Sequence, residues 1–197
     1  MKTATMMLLV LLAGAVRLPA ATTPEELAEL YFNAIKDGDV ETLAAHMHAE
    51  ELLRFRDVVV PIIESRLGRI GVAGDPEVAV MNQLLGGDSV ERLREEPPDE
   101  FFMRFLRWIN RNNPMFAKML QGARFEALGH ITEADMAHVT CRVHVWVMGS
   151  DVAQLKVVSV RKQEDGWRLM VAAELEGMAK VLQFMAVPAA ERSRAAP

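Results

Sequence analysis

Tyr31 is the only tyrosine in the 197 residues. Its hydroxyl is the first side-chain group that we consider as a candidate for chemistry. The residue lies on the apolar side of a stretch with helical spacing, so its hydroxyl requires a hydrogen-bond partner or an opening to solvent. Two roles are open for it. It could be a donor that orients a ligand in a pocket, or a core tyrosine whose hydroxyl is satisfied within the protein, and we regard the core role as the default.

Two histidines, His46 and His48, are separated by a single residue. They point to one side only where the chain is extended, and a zinc site would still need further ligands in a tetrahedral arrangement. No third ligand follows at a suitable spacing. The sequence therefore predicts a polar turn at this point, no metal site and no cofactor.

A third set of residues alternates along one predicted strand. The even positions from His138 read His, Thr, Arg, His and Trp, ending at Trp146, and successive side chains on a strand point to opposite faces. Tryptophan and arginine are enriched at the centres of protein interfaces. Three alternatives stay open for this row: a dimer interface, plain solvated surface or the wall of a ligand pocket. The interface candidates are His138, Arg142, His144 and Trp146.

The elements that position this row form a predicted antiparallel sheet. The odd positions of the same run are apolar and include Cys141, which we expect to be buried as a small hydrophobic residue. Gly149-Ser150 and Asp165-Gly166 supply the backbone conformations that tight hairpins require. The pattern predicts a four-stranded meander with strands at 123–132, around 139–147, at 152–162 and at 167–174.

Along the chain, helices are predicted both before the first strand and after the last strand of this sheet. Thr23-Pro24-Glu25-Glu26 combines a hydroxyl cap, a proline at the first helical position and a glutamate that closes a capping box. Asp39 is expected to cap a second, shorter helix that ends near His46. Residues 50–121 carry repeated helix starts and stops, including a predicted cap at Asp99, and indicate three or four helical segments. A last helix is predicted over 175–186.

The N-terminus has the layout of a secretory signal peptide. Lys2 precedes an apolar core, and small residues surround Ala20. The apolar run is too short to span a bilayer, so we expect no stable membrane span after its removal. We interpret residues 1–20 as the signal, 21–187 as one domain and 188–197 as a disordered tail, which predicts a bacterial protein exported to the periplasm or secreted.

Charge and cysteine content limit the classes of partner. The full chain carries a net charge of −5, and removal of the signal takes away Lys2 and Arg17 but no acid. A mature chain this acidic is poorly suited to bind nucleic acid through its overall field, so we expect no nucleic-acid partner. A single cysteine cannot form an internal disulfide, which agrees with an envelope protein whose core suffices for stability.

The segments YFNAIKDGDVETL (31–43) and 152–171 resemble the nuclear transport factor two-like superfamily, also called cystatin-like or polyketide-cyclase-like. The resemblance implies an α+β fold in which N-terminal helices pack on a curved, four-stranded antiparallel sheet and leave a cone-like pocket. The helical section 50–121 is longer than compact members need, and we interpret it as an insertion. The fold hosts isomerases, cyclases, dehydratases and non-enzymatic binders.

Isomerases of this superfamily suggest one set of roles. Tyr31 stands seven residues before Gly38, the position of their hydrogen-bonding tyrosine, and Asp57 lies near the region of their carboxylate base. Their second acid is missing, since the matching strand has Lys156 and Ser159 instead. Tyr31 and Asp57 are therefore the ligand-binding candidates, and no catalytic set is assigned.

Three functional hypotheses follow. The first is an exported, non-catalytic domain that binds a small apolar molecule or a protein partner through the cone pocket or the sheet face. The second is an isomerase-like or cyclase-like enzyme that uses Tyr31. The third is a structural module of the envelope that forms a homodimer through the sheet. We favour the first.

Overall fold

The computed structural model describes residue 21 and residues 23–69, 82–87, 89–112, 118, 120–147, 149–170 and 177. The predicted signal peptide and disordered tail lie outside the described residues, as does the predicted C-terminal helix apart from Gly177. Within the described part, helices and a sheet form an α+β fold, as the sequence predicts.

The first two helices follow the predicted caps. Helix α1 (Pro24–Asp37) begins with a capping box in which Thr23 and Glu26 exchange side-chain and backbone hydrogen bonds. It ends at Gly38, whose φ of 70° is the left-handed conformation that glycine adopts without a steric penalty. Helix α2 (Val40–His46) begins where the Asp39 carboxylate accepts a hydrogen bond from the Thr42 amide at 2.9 Å. Both helices are thus set by local side-chain chemistry.

In the section where several helices were predicted, the described residues define the bounds of three. They are α3 (Ala49–Arg69), α4 (Val90–Glu95) and α5 (Pro98–Asn112). The prediction that Asp99 caps α5 is wrong, because the helix already begins at Pro98 and Asp99 lies in its first turn. Proline is favoured at the first helical position, where its missing amide hydrogen is not needed.

An aromatic cluster joins α3 to α5. The ring of Phe55 lies 5.8 Å from Phe101, 5.4 Å from Phe102 and 5.0 Å from Phe105, measured between centroids. All four side chains are buried. Tilted and edge-to-face rings at these separations contribute about 0.5–1.5 kcal/mol per pair beyond the area they bury. This cluster fixes α5 against α3.

The sheet is the predicted antiparallel meander, with strand order β1-β2-β3-β4. The strands are β1 (Arg124–Glu133), β2 (Met136–Val147), β3 (Ser150–Gln163) and β4 (Gly166–Leu169). The observed β4 is shorter than the predicted 167–174, and residues from 171 onward in that prediction lie outside the described part. Opposite residues of antiparallel strands share a face, so the register assigns every side chain to one of two faces.

The inner face of the sheet packs against α1. Its residues on β2 and β3 include Val139, Cys141, Val158 and Val160, all buried. Cys141 is a buried thiol, as predicted. Phe32 of α1 stacks on Phe125 of β1 with ring centroids 5.1 Å apart. Full burial of an aliphatic side chain contributes about 1.5–3 kcal/mol, so this packing holds the helix on the sheet.

A β-bulge in β1 determines which residues reach the outer face. The register shifts between Ala127, opposite Cys141, and Gly129, opposite Thr140, so Leu128 is an extra residue. Gly129 has a φ of 135°, which side-chain-bearing residues rarely adopt. Beyond the bulge, Ile131 lies on the outer face instead of the inner one.

Candidate functional site

The two ligand-binding candidates differ in their surroundings. Tyr31 is half-buried on α1 and packs against the hydrophobic core. The Asp57 side chain on α3 is 69% exposed and lies 3.5 Å from the guanidinium of Arg56. Neither residue lines either of the two clefts that the structure describes. Tyr31 thus has the surroundings of the core role, and the described contacts do not place Asp57 in a cavity.

The larger cleft lies between α1 and α2 and has a volume of about 400 Å³. Two of its acidic side chains, Glu26 and Asp39, already cap the helices on either side of it. Hydrogen bonds from the backbone and side chain of Thr42 hold the pKa of Asp39 below its ordinary value. Its lining residues are Glu26, Glu29, Leu30, Asn33, Ala34, Asp37, Asp39 and Thr42.

The second cleft, about 300 Å³, lies where α4 meets α5. Arg104 lines it, donates to Glu96 at 3.0 and 2.8 Å, and also donates to the carbonyl of Leu85 at 2.8 Å. These bonds join the middle of α5 to the residues before and after α4. A second arginine of the same helix, Arg107, pairs with Glu41 of α2. The arginines thus join elements of the helical layer.

His46 and His48 are both buried, which the sequence interpretation as a polar turn did not anticipate. The ring Nδ1 of His46 lies 2.9 Å from the carbonyl oxygen of Thr42, and that of His48 lies 3.3 Å from the amide nitrogen of Glu50. The amide of His48 donates to the Leu169 carbonyl of β4 at 3.0 Å. The described residues contain no group of three or more metal-ligand side chains that could hold an ion. The two histidines thus have structural contacts that join α2, α3 and the sheet.

The outer face of the sheet carries all four interface candidates. His138 Nδ1 lies 2.9 Å from the Ser159 hydroxyl across to β3. Trp146 is 61% exposed. The remaining two, Arg142 and His144, contact acidic side chains of this face. The register therefore confirms that the even positions of β2 share one face, although it does not test what that face binds.

Ion pairs cross the outer face from strand to strand. Arg142 pairs with Glu126 of β1 at 2.8 Å, and His144 lies 3.2 Å from Asp151 of β3. Arg124 reaches across β2 to the same aspartate at 2.8 Å. Exposed pairs of this kind contribute about 0–1 kcal/mol each, so they do little for stability. They leave the apolar side chains of this face uncovered.

Three exposed apolar residues join Trp146 on the outer face. Ile131 is 72% exposed, Leu155 is 67% exposed and Val157 is 57% exposed. Val157 lies opposite Thr140, and Leu155 lies opposite Arg142. The sequence analysis did not single out these residues. The register counted outward from the hairpin at Gly149 would have placed Leu155 and Val157 beside the even row of β2. The face on which Ile131 lies could not be found in this way, because it depends on the bulge in β1.

No described helix is both long and apolar enough to cross a membrane. No protein-family model matches the chain, and comparison with curated proteins and with solved structures finds no match.

Proposed function

We propose that this protein is an exported, non-catalytic domain that binds a protein partner through the outer face of its sheet. The proposal includes the cone-like curvature of the sheet and the role of residues 50–121 as a helical insertion that covers the inner face. The observation that supports it is the exposure of Ile131, Trp146, Leu155 and Val157 on one face.

Exposure of this kind is unfavourable for a lone domain in water. Removal of apolar surface from water contributes about 25 cal/mol per Å², and contiguous apolar patches on soluble proteins often mark interaction sites. Trp146 and the two arginines of this face, Arg124 and Arg142, are of the residue types that are enriched at the centres of protein interfaces. The partner that fits is a protein surface with aromatic or aliphatic side chains at its centre and an acidic group near Arg124, whose side chain is 72% exposed.

The described clefts favour this function over capture of a small apolar molecule. A pocket for an apolar ligand is lined mainly by hydrophobic side chains. The cleft between α1 and α2 has four acidic residues in its lining, and the cleft at α5 has five charged ones. Neither lining matches an apolar ligand, whereas the outer face offers apolar side chains without an enclosing wall.

The test is a selection of random peptides displayed on phage against residues 21–197. Enriched peptides should share aromatic and aliphatic residues, and their affinity for Trp146→Ser should fall at least tenfold. Leu53→Ser is the matched control, because Leu53 is an exposed apolar residue on α3, outside the sheet. This control should bind as the wild type does.

Two results would contradict the proposed function. The selection could yield no peptide with measurable affinity, or the selected peptides could bind Trp146→Ser as tightly as the wild type. Far-UV circular dichroism and thermal unfolding of both variants would verify that each is folded. We expect unchanged folding, because both substituted residues are classed as exposed, and substitutions of exposed residues alter stability by about 0.5 kcal/mol or less.

A further inference from the structure

Three charged or titratable side chains meet on the outer face, close to Trp146. Both carboxylate oxygens of Asp151 on β3 lie 3.2 Å from Nδ1 of His144 on β2. One of them also accepts a hydrogen bond from Nη2 of Arg124 on β1 at 2.8 Å. We call these three residues the Asp151 cluster. Trp146 lies opposite Asp151 in the register of β2 and β3, so the cluster adjoins the exposed ring.

The contact with Asp151 determines which nitrogen of His144 carries the hydrogen while the ring is neutral. A carboxylate only accepts hydrogen bonds, so Nδ1 must be the donor. Nε2 of the neutral ring is then an acceptor, and an acceptor repels the carboxylate of a partner. Protonation turns Nε2 into a donor. Histidine is the residue type whose charge changes between about pH 8 and pH 5, so this end of the face changes its hydrogen-bonding character with pH.

Charge around His144 is balanced while its ring is neutral. Arg124 and Asp151 compensate each other within the cluster. The other charged groups next to His144 on this face of the described strands are Arg142 of β2 and Glu126 of β1, which pair at 2.8 Å. Protonation of His144 therefore gives this end of the outer face one net positive charge.

We propose that the partner places an acidic side chain on the Asp151 cluster and binds more tightly as the pH falls and His144 gains a proton. This inference rests on the proposed function, because it concerns the same face. Arg124 supplies donors at every pH, since its guanidinium has five N–H groups and its side chain is 72% exposed. The partner is thus a protein segment in which an aspartate or glutamate adjoins the apolar residue that contacts Trp146.

The direction of the pH effect follows from the charges on the two sides of the contact. Aspartate and glutamate have ordinary pKa values of about 4, so the carboxylate of the partner stays ionised at pH 5.5. His144 gains its positive charge over the range in which the partner keeps its negative one. One additional ion pair at a partly exposed site changes affinity about two- to fivefold.

The first test repeats the phage selection at pH 5.5 and measures the enriched peptides by fluorescence anisotropy at pH 5.5 and 7.5. The peptides should contain an acidic residue beside an aromatic or aliphatic one, and wild type should bind them about two- to fivefold more tightly at pH 5.5. His144→Gln should bind equally at both pH values, because glutamine does not titrate. His130→Gln is the matched control and should keep the pH dependence, since His130 also contacts a carboxylate but lies on the inner face.

The second test changes the charge of the cluster without a change of pH. Asp151→Asn removes one negative charge, so at pH 7.5 the variant has the net charge that wild type has when His144 is protonated. We expect it to bind the acidic peptides at pH 7.5 about as tightly as wild type binds them at pH 5.5. Peptides with asparagine or glutamine in place of the acids should bind wild type equally at both pH values. Circular dichroism would verify that each variant is folded.

Four results would overturn the inference while the proposed function stands. Wild type could bind Trp146-dependent peptides equally at both pH values, His144→Gln could keep the pH dependence, or the amide peptides could show it as well. Asp151→Asn could also bind no more tightly than wild type at pH 7.5, which would mean that the charge of the cluster does not act on the partner. Selections at both pH values that yield no peptide dependent on Trp146 would reject the proposed function, and this inference with it.

Discussion

The inner and outer faces of the sheet are built from alternate residues of the same strands, yet they differ sharply in exposure. Val139 and Val160 of the inner face are fully buried, whereas Val157, on the outer face one position away from the Val139–Val158 pair, is 57% exposed. Residue type does not explain this difference, because all three are valines. The cover that α1 provides on one side decides which apolar residues form the core and which are available for a partner.

The polar contacts of the two faces differ as well. On the outer face, Arg142, Glu126 and Asp151 pair among the strands themselves. On the inner face, His130 of β1 pairs with Glu25 at the start of α1 and so joins the sheet to the helix. The inner face thus uses this polar contact to hold α1 on the sheet, whereas these three outer-face residues pair with one another.

The largest expected effect comes from the same substitution on each face. Val139→Ala removes two buried methyl groups and leaves a cavity, so the free energy of unfolding should fall by about 2 kcal/mol. Val157→Ala should change it by about 0.5 kcal/mol or less, because its methyl groups are largely in water in the folded state. Urea unfolding at low protein concentration, where self-association does not contribute, measures both. Equal losses would mean that the outer face is covered in the monomer.

The fold could be predicted from the sequence wherever local chemistry fixes it. The capping box at Thr23, the cap at Asp39 and the turn at Gly149 each depend on a few adjacent residues, and the alternation of β2 requires only one strand. The cap at Asp99 was wrong because Pro98 can itself begin a helix. The burial of His46 depends on contacts among α2, α3 and β4, which adjacent residues do not reveal.

A smaller effect is expected at the bulge that directs Ile131 outward. Gly129→Ala forces a side-chain-bearing residue into a φ of 135°, so the free energy of unfolding should fall by about 1–2 kcal/mol. No atom lies within 4 Å of the added Cβ, which makes backbone strain the cause. Gly122→Ala is the matched control, because Gly122 is equally open but has no positive φ in this range. Equal stability of the two variants would show that β1 can lose its bulge without cost.

The candidate site could be predicted in part. The row on β2 followed from alternation alone, since its four candidates lie on one strand. To predict that Leu155 and Val157 lie on the same face, the register between β2 and β3 must be known. For Ile131 the bulge must be known as well. An isolated glycine within a strand can indicate a bulge, but it does not show which face the following residues occupy.

The smallest expected effect concerns the pair that joins α1 to the inner face. The hydrogen bond from His130 holds the pKa of the Glu25 carboxyl below its ordinary value of 4.5. A group with a lowered pKa stabilises the folded state fully above its unfolded pKa, and this contribution disappears as the pH falls through the folded pKa.

Glu25→Gln should therefore lower the free energy of unfolding by about 0.5 kcal/mol near pH 6, the size expected for a partly exposed pair. Because glutamine does not titrate, the difference between variant and wild type should shrink as the pH falls below 4.5. Glu29→Gln, an exposed substitution on the same helix, should show no such narrowing. Urea unfolding across this pH range measures the three proteins together. A difference that stays constant with pH would mean that the charge of Glu25 does not hold α1 on the sheet, and packing of Phe32 on Phe125 would then account for the contact between the two layers.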